Sequence, residues 1–278
     1  MNEKKFQRNF AIYSPTTSTR HLLTYPNYSL LRTLAVNPVI NKYLDNPEVA
    51  RSFANEFVTK LQSLCNAQDL VTVSLSGGST PKLLFQVLAE EHAESVDWTK
   101  IHFFWGDERC VAPDDLDSNY GEAYRLFLSR IQIPSANIHR VLGEEEPAIE
   151  AKRYEKEISD ILTHNENDTP SFDIMILGMG ADGHTASIFP HQISFLDSDR
   201  ICEVATHPES GQKRITLTGK IINASSCVYF LITGKGKAPI LAEIMQQSGS
   251  YRDYPTSHIA PEGELFFFID QSAAAKLH

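Results

Sequence analysis

Asp182 and His184 stand two residues apart in Gly178-Met179-Gly180-Ala181-Asp182-Gly183-His184, a stretch with three glycines in six positions. Histidine is the side chain whose ordinary pKa suits proton transfer near neutrality. A carboxylate beside it can fix its tautomer and raise its basicity. Glycines let the backbone come close to a bound molecule. The pair therefore suits a general base. The plainer alternative is a turn whose Asp and His bond only their own backbone.

Other short stretches carry groups suited to an anion. Ser76-Gly77-Gly78-Ser79-Thr80-Pro81 follows an apolar run and opens a helical pattern. Its hydroxyls, and the free N–H groups of a helix start, suit a phosphate. It is neither a dinucleotide fingerprint nor a P-loop, because Gly-x-Gly-x-x-Gly and Gly-Lys-Ser/Thr are both missing. Trp105-Gly106-Asp107-Glu108-Arg109 delivers two carboxylates and an arginine, and runs on to Asn119. Asp107 or Glu108 can orient sugar hydroxyls or hold a basic neighbour, and Arg109 can meet an anion in a two-pronged contact. A surface ion pair among the three is the alternative. Arg214 sits in the alternating run Lys213–Thr218, and Lys237 follows Gly234 and Gly236 at a helix start. A cation at that end opposes the helix dipole, which makes sense if an anion binds there.

These loops need elements to hold them. Asn46-Pro47 reads as cap and first residue of a helix whose stripe runs through Val49, Phe53, Phe57 and Leu61. Leu70–Leu75, Ile101–Trp105, Phe172–Leu177, Cys227–Ile232 and Leu265–Ile269 read as strands. Helical patterns lie between them, near 118–130, 147–163 and 237–247, with a last one near 271–276. The alternation predicts an α/β domain, residues 46–278, with a mostly parallel sheet and helices on both faces. Ligands of such sheets bind beyond the carboxyl ends of the strands, where these loops fall. Residues 1–45 are richer in Ser, Thr, Asn and Tyr, with weak periodicity, and read as an N-terminal extension of undecided order.

Composition narrows the function. The chain has 278 residues and a formal net charge of −10. That charge argues against a nucleic-acid partner. No apolar run reaches the roughly 20 residues that span a bilayer, and Met1–Phe10 lacks the apolar centre of a signal peptide. Cys65, Cys110, Cys202 and Cys227 lie far apart without a Cys-x-x-Cys. They read as free thiols of a reducing, cytoplasmic compartment, not as a disulfide framework or zinc site. No residue cluster has metal-ligand spacing. A small sugar phosphate is the expected partner, and nothing points beyond a monomer or weak dimer.

Together, Ser76–Pro81, Trp105–Tyr120, Gly178–Pro190, Arg214–Thr218 and Gly234–Ala238 resemble the 6-phosphogluconolactonases, in order and spacing over roughly residues 46–275. The string Gly-x-Asp-Gly-His-Thr-Ala-Ser-x-Phe-Pro carries most of that likeness. The resemblance implies a single α/β domain related to glucosamine-6-phosphate deaminase, with no metal or organic cofactor. It implies hydrolysis of 6-phosphogluconolactone in the oxidative pentose phosphate pathway. It makes His184 the base and Asp182 its orienting partner. Ser76, Gly77, Gly78, Ser79, Thr80, Arg214 and Lys237 would hold the phosphate, with Asp107, Arg109 and Asn119 also in the site. Two departures stand out: Ala181 replaces a residue that is often acidic, and the first 45 residues exceed the usual start. The related deaminases and isomerases resemble the chain less, having Asp-Glu-Tyr where it has Asp107-Glu108-Arg109. A sugar-phosphate sensor would need a DNA-binding helix pair that residues 1–45 do not suggest.

Overall fold

A computed structural model describes residues 9–13, 21–24 and 38–277. The strands in it are β1 (Asn9–Tyr13), β2 (His21–Thr24), β3 (Val39–Tyr43), β4 (Val71–Leu75), β5 (Ile101–Trp105), β6 (Asp107–Arg109), β7 (Ile174–Leu177), β8 (Cys202–Thr206), β9 (Lys213–Leu217), β10 (Cys227–Ile232) and β11 (Glu264–Asp270). The α-helices are α1 (Asn46–Ala67), α2 (Ser79–Glu91), α3 (Asn119–Leu126), α4 (Pro147–Ile161), α5 (Gly219–Ala224) and α6 (Ala238–Gln246).

Eight strands form one sheet in the order β2-β1-β3-β11-β10-β7-β4-β5, parallel throughout except where β1 meets β2. β6, β9 and β8 form a separate antiparallel sheet. The mostly parallel architecture expected from the sequence is thus present, with a small second sheet added. β4 and β7 are buried along their whole length, as strands covered on both faces must be. Alternate residues supply two cores. Val73, Phe103, Ile176 and Tyr229 meet α1 and α2 on one face, and Met175, Leu177, Phe230 and Phe267 meet α4 and α6 on the other.

The chain leaves β4 to pair β5 on one side and returns to pair β7 on the other. That reversal opens a crevice at the carboxyl ends of the strands, where ligands of open α/β sheets bind. Four neighbouring strands, β5, β4, β7 and β10, therefore release their loops side by side.

Several boundaries differ from the sequence expectation. Val39–Tyr43, assigned above to the N-terminal stretch, is a strand of the main sheet, in register with Phe266–Asp270 of β11. Residues 1–8, 14–20 and 25–37 of that stretch lie outside the described residues. α1 is capped by Asp45, whose carboxylate accepts from Glu48 N at 2.9 Å, so Asn46 is already helical. The pattern near 271–276 forms turns instead of a helix. Among the described residues no helix is long and apolar enough to cross a membrane.

β5 is the sheet's last strand, and its exit to the site is pinned from outside. The Tyr154 hydroxyl of α4 accepts from Trp105 N at 2.7 Å and donates to Trp105 O at 3.0 Å. Trp105 and Tyr154 are both fully buried, so these contacts replace those of a missing neighbour strand. Tyr154→Phe should therefore lower the unfolding free energy in urea by about 1–3 kcal/mol while the circular dichroism spectrum stays the same. An unchanged midpoint would show that the two Trp105 groups find another partner.

Candidate active site

The loops after β4, β5, β7 and β10, together with β9, enclose a cleft of about 280 Å³. The β4 loop contributes Ser76, Gly77, Gly78, Ser79 and Thr80. Asp107, Arg109 and Asn119 enter from the β5 side, Arg214 from β9, His184 from the β7 loop and Lys237 from the β10 loop. Every site residue proposed from the sequence lines this cleft except Asp182. Asp182 does not line it and is bonded to His184, which does.

The Asp182–His184 contact is direct. His184 Nδ1 lies 2.6 Å from Asp182 Oδ1, and His184 N donates to the same oxygen at 3.2 Å. Burial raises the Asp182 carboxyl, but the bond to His184 and its charge outweigh that and hold it at about 2. Asp182 is therefore ionised at any working pH. With Nδ1 occupied, Nε2 is the nitrogen left to act in the cleft. The loop is tied down around the pair. Gly180 N donates to His184 O at 2.8 Å, and Thr256 takes Gly183 O through its N at 3.0 Å and its hydroxyl at 2.9 Å.

Two glycines are required by close approach. A Cβ on Gly180 would lie 2.1 Å from His184 Nδ1 and 2.4 Å from Asp182 Oδ1. A Cβ on Gly77 would lie 1.9 Å from Asn119 Oδ1. Asn119 is seated against that bare backbone, with Nδ2 donating to Asp107 O at 2.9 Å.

Asp107 and Glu108 part company. Asp107 turns into the cleft, whereas Glu108 is buried beneath it. The Glu108 carboxylate accepts from Arg109 N at 2.7 Å, Asn119 N at 2.8 Å, Tyr120 N at 2.7 Å and Ser118 Oγ at 3.1 Å. It holds the start of α3 and does not line the cleft. Burial pushes its carboxyl up to about 7, against the pull of the three backbone N–H groups.

The cations are crowded. Arg109 of β6 and Arg214 of β9 are direct register partners, and like charges so placed repel. Among the described residues Arg109 has no carboxylate partner. Its Nη1 donates to Asp117 O at 2.6 Å. Arg214 has Asp107 Oδ2 4.0 Å away and the Phe189 ring 5.6 Å from its Cζ. The Nε atoms of both arginines are buried without a partner. Burial lowers the Arg214 pKa, Asp107 pulls it up, and Arg109 lowers it further. Burial also lowers Lys237, with Asp182 acting in the opposite sense. Loop-to-loop bonds fix the cationic side. Thr80 and Thr233 share a hydroxyl contact of 2.8 Å, and the Asp270 carboxylate accepts from Gly234 N at 3.0 and 3.1 Å.

The sequence alone does not single out Ser187, Thr216, Thr233 or Asp270. Ser187 sits inside the quoted glycine-histidine stretch, and Asp270 ends a recognisable strand, but neither partner is near in sequence. Among the described residues no three of His, Cys, Asp or Glu are grouped so as to hold a metal ion.

Residues 44–267 match the model of the family described as glucosamine-6-phosphate isomerases/6-phosphogluconolactonase. The chain belongs to that family, on its 6-phosphogluconolactonase side. A 6-phosphogluconolactonase of Aggregatibacter actinomycetemcomitans is 48% identical over 207 residues, covering 74% of this chain and 87% of the relative. The crystal structure of a 6-phosphogluconolactonase from Thermotoga maritima superposes with a TM-score of 0.72 at 32% identity, covering 84% of this chain and 99% of the other. A monomeric glucosamine-6-phosphate deaminase shares the fold, with a TM-score of 0.72 at 22% identity over 85% of this chain and 99% of its own.

Gly180→Ala should separate Asp182 from His184 without unfolding the domain. In nitrogen-edited proton NMR the downfield signal of the bonded His184 Nδ1–H should be lost. Its persistence would mean that the loop absorbs the methyl group.

Glu108 gives a pH-dependent expectation. Its folded pKa of about 7 lies above the ordinary 4.5. Its contribution to stability is therefore complete below about pH 4.5 and is lost as pH rises through about 7. Between these values the unfolding free energy should fall more steeply in the wild type than in Glu108→Gln. Parallel profiles would refute the shift.

Proposed function

We propose that the chain hydrolyses 6-phospho-D-glucono-1,5-lactone to 6-phospho-D-gluconate in the oxidative pentose phosphate pathway, with His184 as general base. One observation carries this reading. Two directly opposed arginines and a half-buried lysine line one cleft with a carboxylate-held histidine. Such a cation set is costly without an anion, and the histidine is idle without a proton to move. A phosphorylated sugar ester supplies both needs. The lactonase relatives support the choice of ester.

In this reading the phosphate lies among Arg109, Arg214, Lys237 and the Ser76–Thr80 loop, and Asp107 and Asn119 meet sugar hydroxyls. His184 Nε2 takes a proton from water as the oxygen attacks the lactone carbonyl. Asp182 stabilises the imidazolium that forms. The tetrahedral intermediate then collapses, the bond from C1 to the ring oxygen breaks, and His184 returns the proton to that oxygen. A δ-lactone is activated enough that no covalent enzyme intermediate is needed. A net charge of −10 around a cationic cleft also makes the site the place where an anion is drawn in. The four free thiols suit a cytoplasmic setting.

Lactone hydrolysis followed by NMR against the spontaneous rate tests the proposal. His184→Ala should lower the catalysed rate by at least about 10² with the fold intact. Unphosphorylated gluconolactone should be used with a kcat/KM lower by on the order of 10²–10⁴. Arg214→Ala and Lys237→Ala should narrow that gap. Near-normal turnover in His184→Ala would remove the base assignment, and equal kcat/KM for the two lactones would remove the phosphate site.

A further inference from the structure

We propose that Ser187 is a positioning residue: it keeps Arg214 off Asp107 and so leaves the guanidinium free to meet an anion. The proposal rests on the reading that Arg214 binds the substrate phosphate. Ser187 is fully buried and does not line the cleft. Its hydroxyl donates to Asp107 Oδ2 at 2.6 Å, and its oxygen accepts from Arg214 Nη1 at 3.3 Å. Arg214 Nη1 and Asp107 Oδ2 are left 4.0 Å apart.

That separation is unusual for these two groups. Their side chains are only 11% and 8% exposed. Water screens them little, and a guanidinium so close to a carboxylate ordinarily closes to a charge-assisted bond of about 2.7–2.9 Å. A closed pair would spend the positive charge of Arg214 on Asp107. Ser187 prevents this by giving each group a partner. One lone pair of Asp107 takes the serine proton, and the serine oxygen takes one Arg214 N–H. The guanidinium stays in place without being neutralised, and its Nε remains unpaired.

The wedge is itself held. Ser187 N donates to the Thr216 hydroxyl at 3.0 Å, and that hydroxyl donates to Leu217 O at 3.0 Å. Ala186, just before it, has a φ of +48°, a left-handed conformation that alanine seldom takes. Thr185, two residues before Ser187, donates through its hydroxyl to Gly178 O at 2.9 Å, and its carbonyl accepts from Ile188 N at 2.9 Å. Ser187 follows His184 by three residues on the same loop, so one short segment sets both the base and the arginine.

The test compares wild type, Ser187→Ala, Arg214→Ala and the double variant. The readouts are KM and kcat for the phosphorylated lactone and the inhibition constant of inorganic phosphate. Ser187→Ala should raise KM and the phosphate inhibition constant together by about tenfold, with kcat changed much less. The same change in the Arg214→Ala background should add nothing. A purely structural serine would lower stability without this selective loss, or would act equally in both backgrounds, and either result overturns the proposal. If Arg214→Ala weakens phosphate but Ser187→Ala does not, this inference alone fails. If Arg214→Ala leaves phosphate inhibition unchanged, the anion-site reading fails and takes this one with it. Should the alanine variant not fold, Ser187→Cys keeps the volume with a weaker donor and should show the same loss in smaller measure.

Discussion

Parallel pairing constrains everything else in this protein. Strands that run the same way need crossover helices, and those helices cover both faces of the sheet. Their loops then leave on one edge. Because β4 sends the chain first to β5 and later receives β7 on its other side, loops separated by about a hundred residues become neighbours. The Ser76–Thr80 loop, the Asp107–Arg109 strand and the Asp182–His184 pair meet for that reason. The antiparallel β6–β9–β8 sheet then carries Arg214 back across the same opening.

The cleft gathers charge that would not assemble unaided. Arg109 opposes Arg214 across a ladder, Lys237 is half buried, and each is short of a carboxylate at bonding distance. A shell of uncharged or fully engaged groups keeps this arrangement from relaxing. Ser187 stands between Arg214 and Asp107, Thr80 joins Thr233, Asp270 grips the Gly234 amide, and Glu108 clasps three backbone N–H groups beneath. Such a site is organised before a ligand arrives, so binding energy need not be used to form it. The cost falls on the folded state, in repulsion and in backbone such as that of Ala186.

Buried polar groups in this region divide into two kinds. Glu108, Asp270 and Thr216 bond to backbone groups and do not line the opening. His184, Arg109, Arg214 and Lys237 keep at least one donor or acceptor directed to it. The same residue types serve both purposes, and only their surroundings separate them. Asp107 and Glu108 are adjacent in sequence and on opposite sides of this division, because successive residues of a strand point to opposite faces.

Local signals were enough for much of this. Apolar runs and helical stripes predict β4, β5, β7 and β10 closely, since buried parallel strands read as continuous β-branched and aromatic segments. Glycine, hydroxyl and cationic residues at the ends of those strands mark the loops of the cleft, and Asp182 next to His184 is a contact between near neighbours in the chain. Other features could not be read that way. Val39–Tyr43 looks like part of a polar extension until β11 supplies its partner. Glu108 and Asp107 look alike until α3 folds over one of them. The opposition of Arg109 to Arg214, the wedge of Ser187 and the grip of Asp270 on Gly234 join residues 27 to 105 positions apart. Side-chain type and short-range spacing are properties of the chain itself, so the sequence determines them. Which charges share a buried space depends on strand order and register, and only the tertiary structure decides those.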